Sequence, residues 1–156
     1  MMFGGAGDSH MPKCHLSLLI LAIPLSGCSI FAPVYNEAVY TKLDGAHSSL
    51  TKMETTVETK APQRARYRDV EPYYIEALAM VKDAGDIAGR RTAYLQGKPS
   101  ARAAQLVADN IERCRQAIEA SRARFEAKGQ LANETDNITI VQNTCGIART
   151  IEGSLK

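Results

Sequence analysis

ARAAQLVADNIERCRQAIEASRARFEAK, residues 101–128, is the stretch that decides the fold. Ala104, Val107, Ile111, Cys114, Ile118, Ser121 and Phe125 recur at alternating spacings of three and four, which places them on one stripe of a helix. Arg102, Asp109, Glu112, Arg115, Glu119, Arg122 and Glu126 fall off that stripe, where charged groups keep their water. Gly97-Lys98-Pro99-Ser100 reads as the preceding turn, with Ser100 as N-cap, and the helix is expected to end near Gly129. One narrow apolar stripe cannot be buried alone, so the rest of the chain must supply partners.

Three further stripes do so. Asn36, Val39, Leu43, Ala46, Leu50, Met53 and Val57 keep the same alternation, with Lys42, Asp44, Lys52, Glu54 and Glu58 off the stripe and Pro62 as the expected stop. The basic run Arg64-Ala65-Arg66-Tyr67-Arg68 reads as a loop or short turn, and a second helix is expected to begin near Pro72, because proline fits a first helical turn. Its stripe is Tyr74, Ala77, Val81, Ala84, Ala88 and Leu95. Gly85 and Gly89 weaken it but offer a neighbouring helix room for close approach. A fourth helix, capped by Thr135-Asp136-Asn137, carries Ile138, Val141, Cys145, Ala148, Ile151 and Leu155. Its β-branched content leaves a strand open over Ile138 to Val141.

The expected fold is all-α, an antiparallel up-down bundle of about four helices over residues 36–156, with an oligomeric coiled coil as the second choice. The 156-residue chain leaves room for one domain, and its core must come mainly from aliphatic residues, since aromatics make up 6% and Trp is absent.

Ahead of the bundle, residues 16 to 25 form an apolar run too short to span a bilayer as a helix, interrupted by Pro24 and preceded by Lys13. Residues 1–10 add no basic residue, so translation is expected to begin at Met11. The run ends in Leu25-Ser26-Gly27-Cys28, an aliphatic residue, a small residue, Gly and Cys. This tetrapeptide resembles the lipobox of bacterial lipoproteins. The resemblance implies that residues 1–27 are a signal peptide cut by signal peptidase II, that the Cys28 thiol carries a diacylglyceryl group, and that residues 28–35 form a lipidated tether. Ser29 in place of Asp is similar to lipoproteins passed on to the outer membrane, so the implied address is the outer membrane, facing the periplasm. The membrane is thus the first expected partner, through covalent lipid on Cys28.

With Cys14 in the leader and Cys28 given to lipid, Cys114 and Cys145 remain, in a compartment that is often oxidising. Both lie on buried stripes of successive helices, equidistant from the turn at Gly129 and Gln130, so an antiparallel hairpin brings them face to face. A disulfide between them is expected.

The net charge of +2 gives no footing for nucleic acid. From Lys60 to Lys128 fourteen Lys and Arg stand against nine Asp and Glu, which reads as a salt-bridged helix surface or as contact with anionic headgroups or cell-wall polymer. His47 is the lone histidine after the leader, which makes a multi-His metal site or a Ser-His-Asp triad hard to build, and no catalytic residue, metal or cofactor is expected. Tyr67, Tyr73 and Tyr74 with Arg64, Arg66, Arg68, Arg90 and Arg91 form a candidate recognition surface, with helix packing as the competing reading of the tyrosines. The function expected is a non-enzymatic structural or protein-interaction module of the envelope, with an unidentified envelope protein as partner. The alternative is a binding module for a small apolar ligand or cell-wall fragment inside the bundle.

Overall fold

In the computed structural model, residues 35–61 and 63–156 are described. The leader, Cys28 and the expected stop at Pro62 lie outside the described residues. Four helices follow one another: α1 (Glu37–Thr59), α2 (Tyr67–Tyr94), α3 (Ala101–Lys128) and α4 (Glu134–Gly153). Each packs on its neighbour in the chain and α4 closes against α1, while the backbones of the diagonal pairs, α1 with α3 and α2 with α4, stay apart. This is the square cross-section of an all-α bundle. Side-chain pairs give the directions. Lys42 meets Asp83 and Ser49 meets Glu76, Tyr74 meets Ser121, and Asp44 meets Arg149, so each helix runs opposite to the one beside it.

The core comes from the four stripes. Every stripe residue named on α3 is buried, as are Val39 through Val57 on α1 and Tyr74 through Ala88 on α2. Ala46, Ala77, Ala84, Ala88, Ala104 and Ala148 are fully covered. Phe125 closes edge-on to Tyr74 with ring centroids 6.4 Å apart, the aromatic filling at one end of an otherwise aliphatic core.

Helix starts depart from the sequence reading in ways that have local causes. The first turn of α1 is capped as expected, with Asn36 Oδ1 accepting the N–H of Val39 at 3.1 Å. However, α2 starts at Tyr67, five residues before Pro72. The Asp69 carboxylate accepts the N–H of Arg66 at 2.8 Å, and Val70 adds a buried anchor in the same turn. The proline, exposed on the helix, removes a single hydrogen bond near the start. Ser100 caps nothing through its side chain, and Thr135, Asp136 and Asn137 lie inside α4 rather than ahead of it. There the Glu134 carboxylate takes the N–H of Leu131 at 3.1 Å. The segment 138–141 is helical, its Ile138 and Val141 buried in the bundle.

Gly129 takes φ +68° at the end of α3, the left-handed region where a Cβ is costly. Gly85 and Gly89 do not bring helices into unusually close contact: a Cβ at Gly85 would meet Ile111 at an ordinary 3.6 Å and one at Gly89 would meet nothing. The close approach is at Gly45, where the Met80 thioether occupies the space of a Cβ.

Cys114 and Cys145 stand at disulfide distance, with sulfurs 2.02 Å and Cα atoms 4.5 Å apart. The bridge spans 31 residues of chain, so closing that loop in the unfolded state stabilises the bundle by about 3 to 4 kcal/mol in the chain-entropy treatment. Reduction is expected to lower the melting temperature by about 10 to 20 °C, read by circular dichroism with and without a thiol reductant. Unreduced protein should take up no alkylating reagent at either cysteine.

Candidate functional site

The two ends of the bundle hold its most constrained chemistry, because each buries a carboxylate. At the end where α1 begins, Glu152 in the last turn of α4 is 0% exposed. Arg91 of α2 grips it with two bonds, Nη1 to Oε1 at 2.9 Å and Nη2 to Oε2 at 2.6 Å, and the N–H of Asn36 donates to Oε1 at 2.7 Å. The start of α1 favours the anion and the close of α2 favours the cation, which offsets the unfavourable dipole of the α4 C-terminus on which Glu152 itself stands. One side chain thereby joins three helices.

Around this knot lies a rim of aromatic and basic groups. Lys98 Nζ stands 3.6 Å above the ring of Tyr94, which is 74% exposed. Lys156 Nζ lies 5.0 Å from the Tyr35 ring centre and 4.7 Å from that of Tyr40, whose rings pack 6.1 Å apart. A cation over a ring face is drawn by the ring quadrupole.

At the opposite end Glu134, 1% exposed, is held by both terminal nitrogens of Arg124 and by the Leu131 N–H. Gln130 Oε1 accepts the N–H of Ala65, tying the α1–α2 connection to the α3–α4 turn. The Tyr74 phenol is buried and shares a hydrogen bond of 2.9 Å with Ser121. Tyr67 accepts from Arg122 Nε at 2.7 Å, and Tyr73 reaches Thr56.

The structure does not bring the eight residues named from the sequence as a recognition surface together in one patch. Arg64, Arg66 and Arg68 are exposed at the α1–α2 connection, next to tyrosines that are turned into packing. Arg90 and Arg91 lie 23 positions along α2 from Tyr67, about 35 Å away at 1.5 Å per residue. Arg91 is committed to Glu152. Packing claims these tyrosines because they share the phase of the α2 stripe or border it.

Glu134 and Glu152 went unmarked in the sequence, since an acid in a helix reads as surface. Their signal is phase: 134, 138, 141, 145, 148 and 152 continue the three-four spacing, and both acids fall on the core side. The stripe read through Ile151 and Leu155 ends half-buried instead, displaced by Glu152.

The outer side of α4 differs from the rest of the surface. Ile140 is 62% and Ile147 53% exposed, two turns apart, and no charged residue occurs from Asn137 to Ala148. On α3, by contrast, Arg115 bonds both Glu112 and Glu119, and it holds the Glu112 carboxyl down to about 2. Between α2 and α3 runs an open groove of about 670 Å³ with an apolar floor that includes Leu78, Val81 and Ile111 and a rim that includes Lys82, Asp86 and Arg115. It lies away from the tyrosines. His47, half-buried beside Arg149, has its pKa lowered by burial first and by that arginine second. No cluster of three or more His, Cys, Asp or Glu able to hold a metal occurs among the described residues, and no described helix is long and apolar enough to cross a membrane.

Replacing Glu152 with Ala should cost about 3 to 5 kcal/mol in urea unfolding, because the guanidinium of Arg91 stays buried without its carboxylate; the double variant E152M/R91M should recover most of the loss. Burial also raises the Tyr74 phenol above its ordinary value of 10. Below pH 10 both folded and unfolded chains keep it neutral and its contribution is complete; above pH 10 the unfolded chain ionises more readily and stability falls as pH climbs. Ultraviolet titration should show Tyr74 ionising only as the bundle unfolds, and Tyr74→Phe should remove that component. No protein-family model, no curated protein and no solved structure matches the chain.

Proposed function

We propose that the chain is a lipid-anchored envelope lipoprotein whose four-helix bundle is a non-enzymatic module for contacts with another envelope protein. The anchor is Cys28, at the end of Leu25-Ser26-Gly27, and the body is the bundle that starts eight positions later at Asn36. The observation that carries the reading is the meeting of two independent cysteine features. A lipobox-like Cys at the end of an apolar leader is followed by two bundle cysteines at disulfide distance, and structural disulfides belong to oxidising compartments outside the cytosol.

Two properties of the bundle favour protein contact over a ligand held inside. The centre is filled, with Leu50, Met53, Tyr74, Ile118 and Phe125 fully covered by their neighbours. The uncharged outer face of α4, with Ile140 and Ile147 at its middle, has the depletion of charge found at the cores of protein interfaces. On this reading the partner lies along α4, and the salt-bridged faces of the bundle remain in water.

Intact mass and N-terminal sequencing of membrane-extracted protein test the anchor. The mature chain is expected to begin at Cys28 with the added mass of two or three acyl chains, and Cys28→Ser to retain the leader without acylation. A mature terminus elsewhere, or an unmodified Cys28 thiol, would overturn it. The partner surface is tested by I140E/I147E, expected to keep its melting temperature within a few degrees, since both positions face outward, and to lose the protein's larger assembly on native electrophoresis of solubilised membranes.

A further inference from the structure

We infer that the end of the bundle built around Glu152 is itself a docking surface for anionic phospholipid, so that the domain stands on the membrane by the open ends of α1 and α4 and the α2–α3 turn. The inference rests on the lipoprotein reading for its tether and deepens it by fixing which end meets the bilayer.

Three observations converge there. The first is chemical. Tyr35, Tyr40 and Tyr94 each lie beneath a lysine amine, and every cation–π contact found among the described residues lies at this end. Tyr94 is exposed and Tyr35 and Tyr40 are half-buried, and a tyrosine at the surface under an amine is amphipathic in the sense that a headgroup region requires, with a ring for the glycerol level and a cation for the phosphates. The far end spends its tyrosines on packing instead, with Tyr74 buried and Tyr67 bonded to Arg122.

The second is electrostatic. In the last turn of this end Arg91 and Glu152 cancel one another in the interior. What remains outside is Arg90, Lys98, Arg102 and the Lys156 amine against Glu37 and the α-carboxylate at Lys156, and the next acids, Asp44 (paired with Arg149), Asp86 and Asp109, lie at least a turn deeper. At the opposite end Arg64, Arg66, Arg68 and Lys128 are matched by Glu58, Glu71, Glu126 and Asp136, and Lys60 pairs with Asp69. The uncompensated positive charge therefore lies where the tyrosines are, complementary to an anionic leaflet.

The third is chain length. Six residues lie between Cys28 and Tyr35, so even a fully extended connection reaches about 25 Å. A body roughly 40 Å long held on such a tether meets the bilayer first with the end from which the tether leaves.

The protein extracted from membranes is mixed with vesicles of equal parts phosphatidylglycerol and phosphatidylcholine, with vesicles of phosphatidylcholine alone, or with neutral detergent. It is then labelled briefly with an amine-reactive reagent, and each lysine is read by mass spectrometry. In the anionic vesicles Lys98 and Lys156 are expected to react at least fivefold more slowly than in detergent, with Lys60 and Lys128 unchanged. Equal labelling at both ends, protection of Lys60 and Lys128 instead, or the same protection in phosphatidylcholine alone would overturn the inference. Intact mass of the same sample judges the lipoprotein reading separately. Should Cys28 prove unmodified, sedimentation with the two vesicle types still decides the surface: each basic residue removed from K98A/R102A/K156A should weaken binding to the anionic vesicles about 5-fold. The control R64A/R66A/K128A should leave it unchanged, and failure of the unmodified protein to bind anionic vesicles, or an equal loss in both variants, would refute the surface.

Discussion

A carboxylate with no water around it must find its charge a partner, and the register of this bundle is organised by that demand. Glu152 is anchored to the guanidinium of Arg91 and the N–H of Asn36, so the last turn of α4, the close of α2 and the first residue before α1 are brought to one point. Sliding any of these helices by one turn, about 5.4 Å, would strand a buried charge. The apolar stripes alone are less demanding, because a stripe of Ala, Val and Leu slides along another with modest loss. The ion pair at Glu134 and Arg124 sets the same restriction at the other end, for α3 and α4. With both ends pinned, the Cys114 and Cys145 sulfurs meet in the middle of the α3–α4 pair. Polar contacts at the ends thus select one packing from those the core would tolerate.

Periodicity carried most of the fold into view, and its failures are instructive. Alternating spacing of three and four identified the buried faces of α1, α2 and α3 because these are apolar apart from Ser49, Asn110 and Ser121, and the equal distances of Cys114 and Cys145 from the turn at Gly129 and Gln130 pointed to the α3–α4 hairpin. Boundaries were less legible. Pro72 reads as a start by its chemistry, yet Asp69 and Val70 supply a cap and an anchor that set the start earlier. Glu134 and Glu152 were hidden because composition assigns carboxylates to solvent, and only a tertiary partner such as Arg91 makes their core phase affordable. The Tyr and Arg cluster failed for a related reason. Neighbours in sequence along a 28-residue helix are not neighbours in space.

The surface divides by the same logic. Where α3 faces water, Arg115 sits between Glu112 and Glu119, spaced three and four residues away, and such pairs keep a helix solvated without inviting a partner. On α4 the twelve residues from Asn137 to Ala148 carry no charge at all, although Ile138, Val141, Cys145 and Ala148 on its other side are buried in the core. Ile140 and Ile147, facing outward, add only part of the stability a buried isoleucine would, since their burial on folding is incomplete. On the proposed reading another envelope protein covers this face, where Ile140 and Ile147 stand without a charged neighbour from Asn137 to Ala148.

Rigidity gives these surfaces their meaning. A bundle whose end-to-end geometry is held by two buried ion pairs and one covalent crosslink transmits orientation from one end to the other with little bending. If the end around Glu152 rests on headgroups, the long axis stands away from the bilayer, and the α4 face with Ile140 and Ile147 is presented sideways, parallel to the membrane plane. A partner reaching that face would itself have to be at the membrane, within the height of one bundle. A single-point anchor on a flexible body would leave the face pointing in every direction. An anchor combined with a docked end restricts the search to rotation about one axis, which lowers the entropic cost of side-on association.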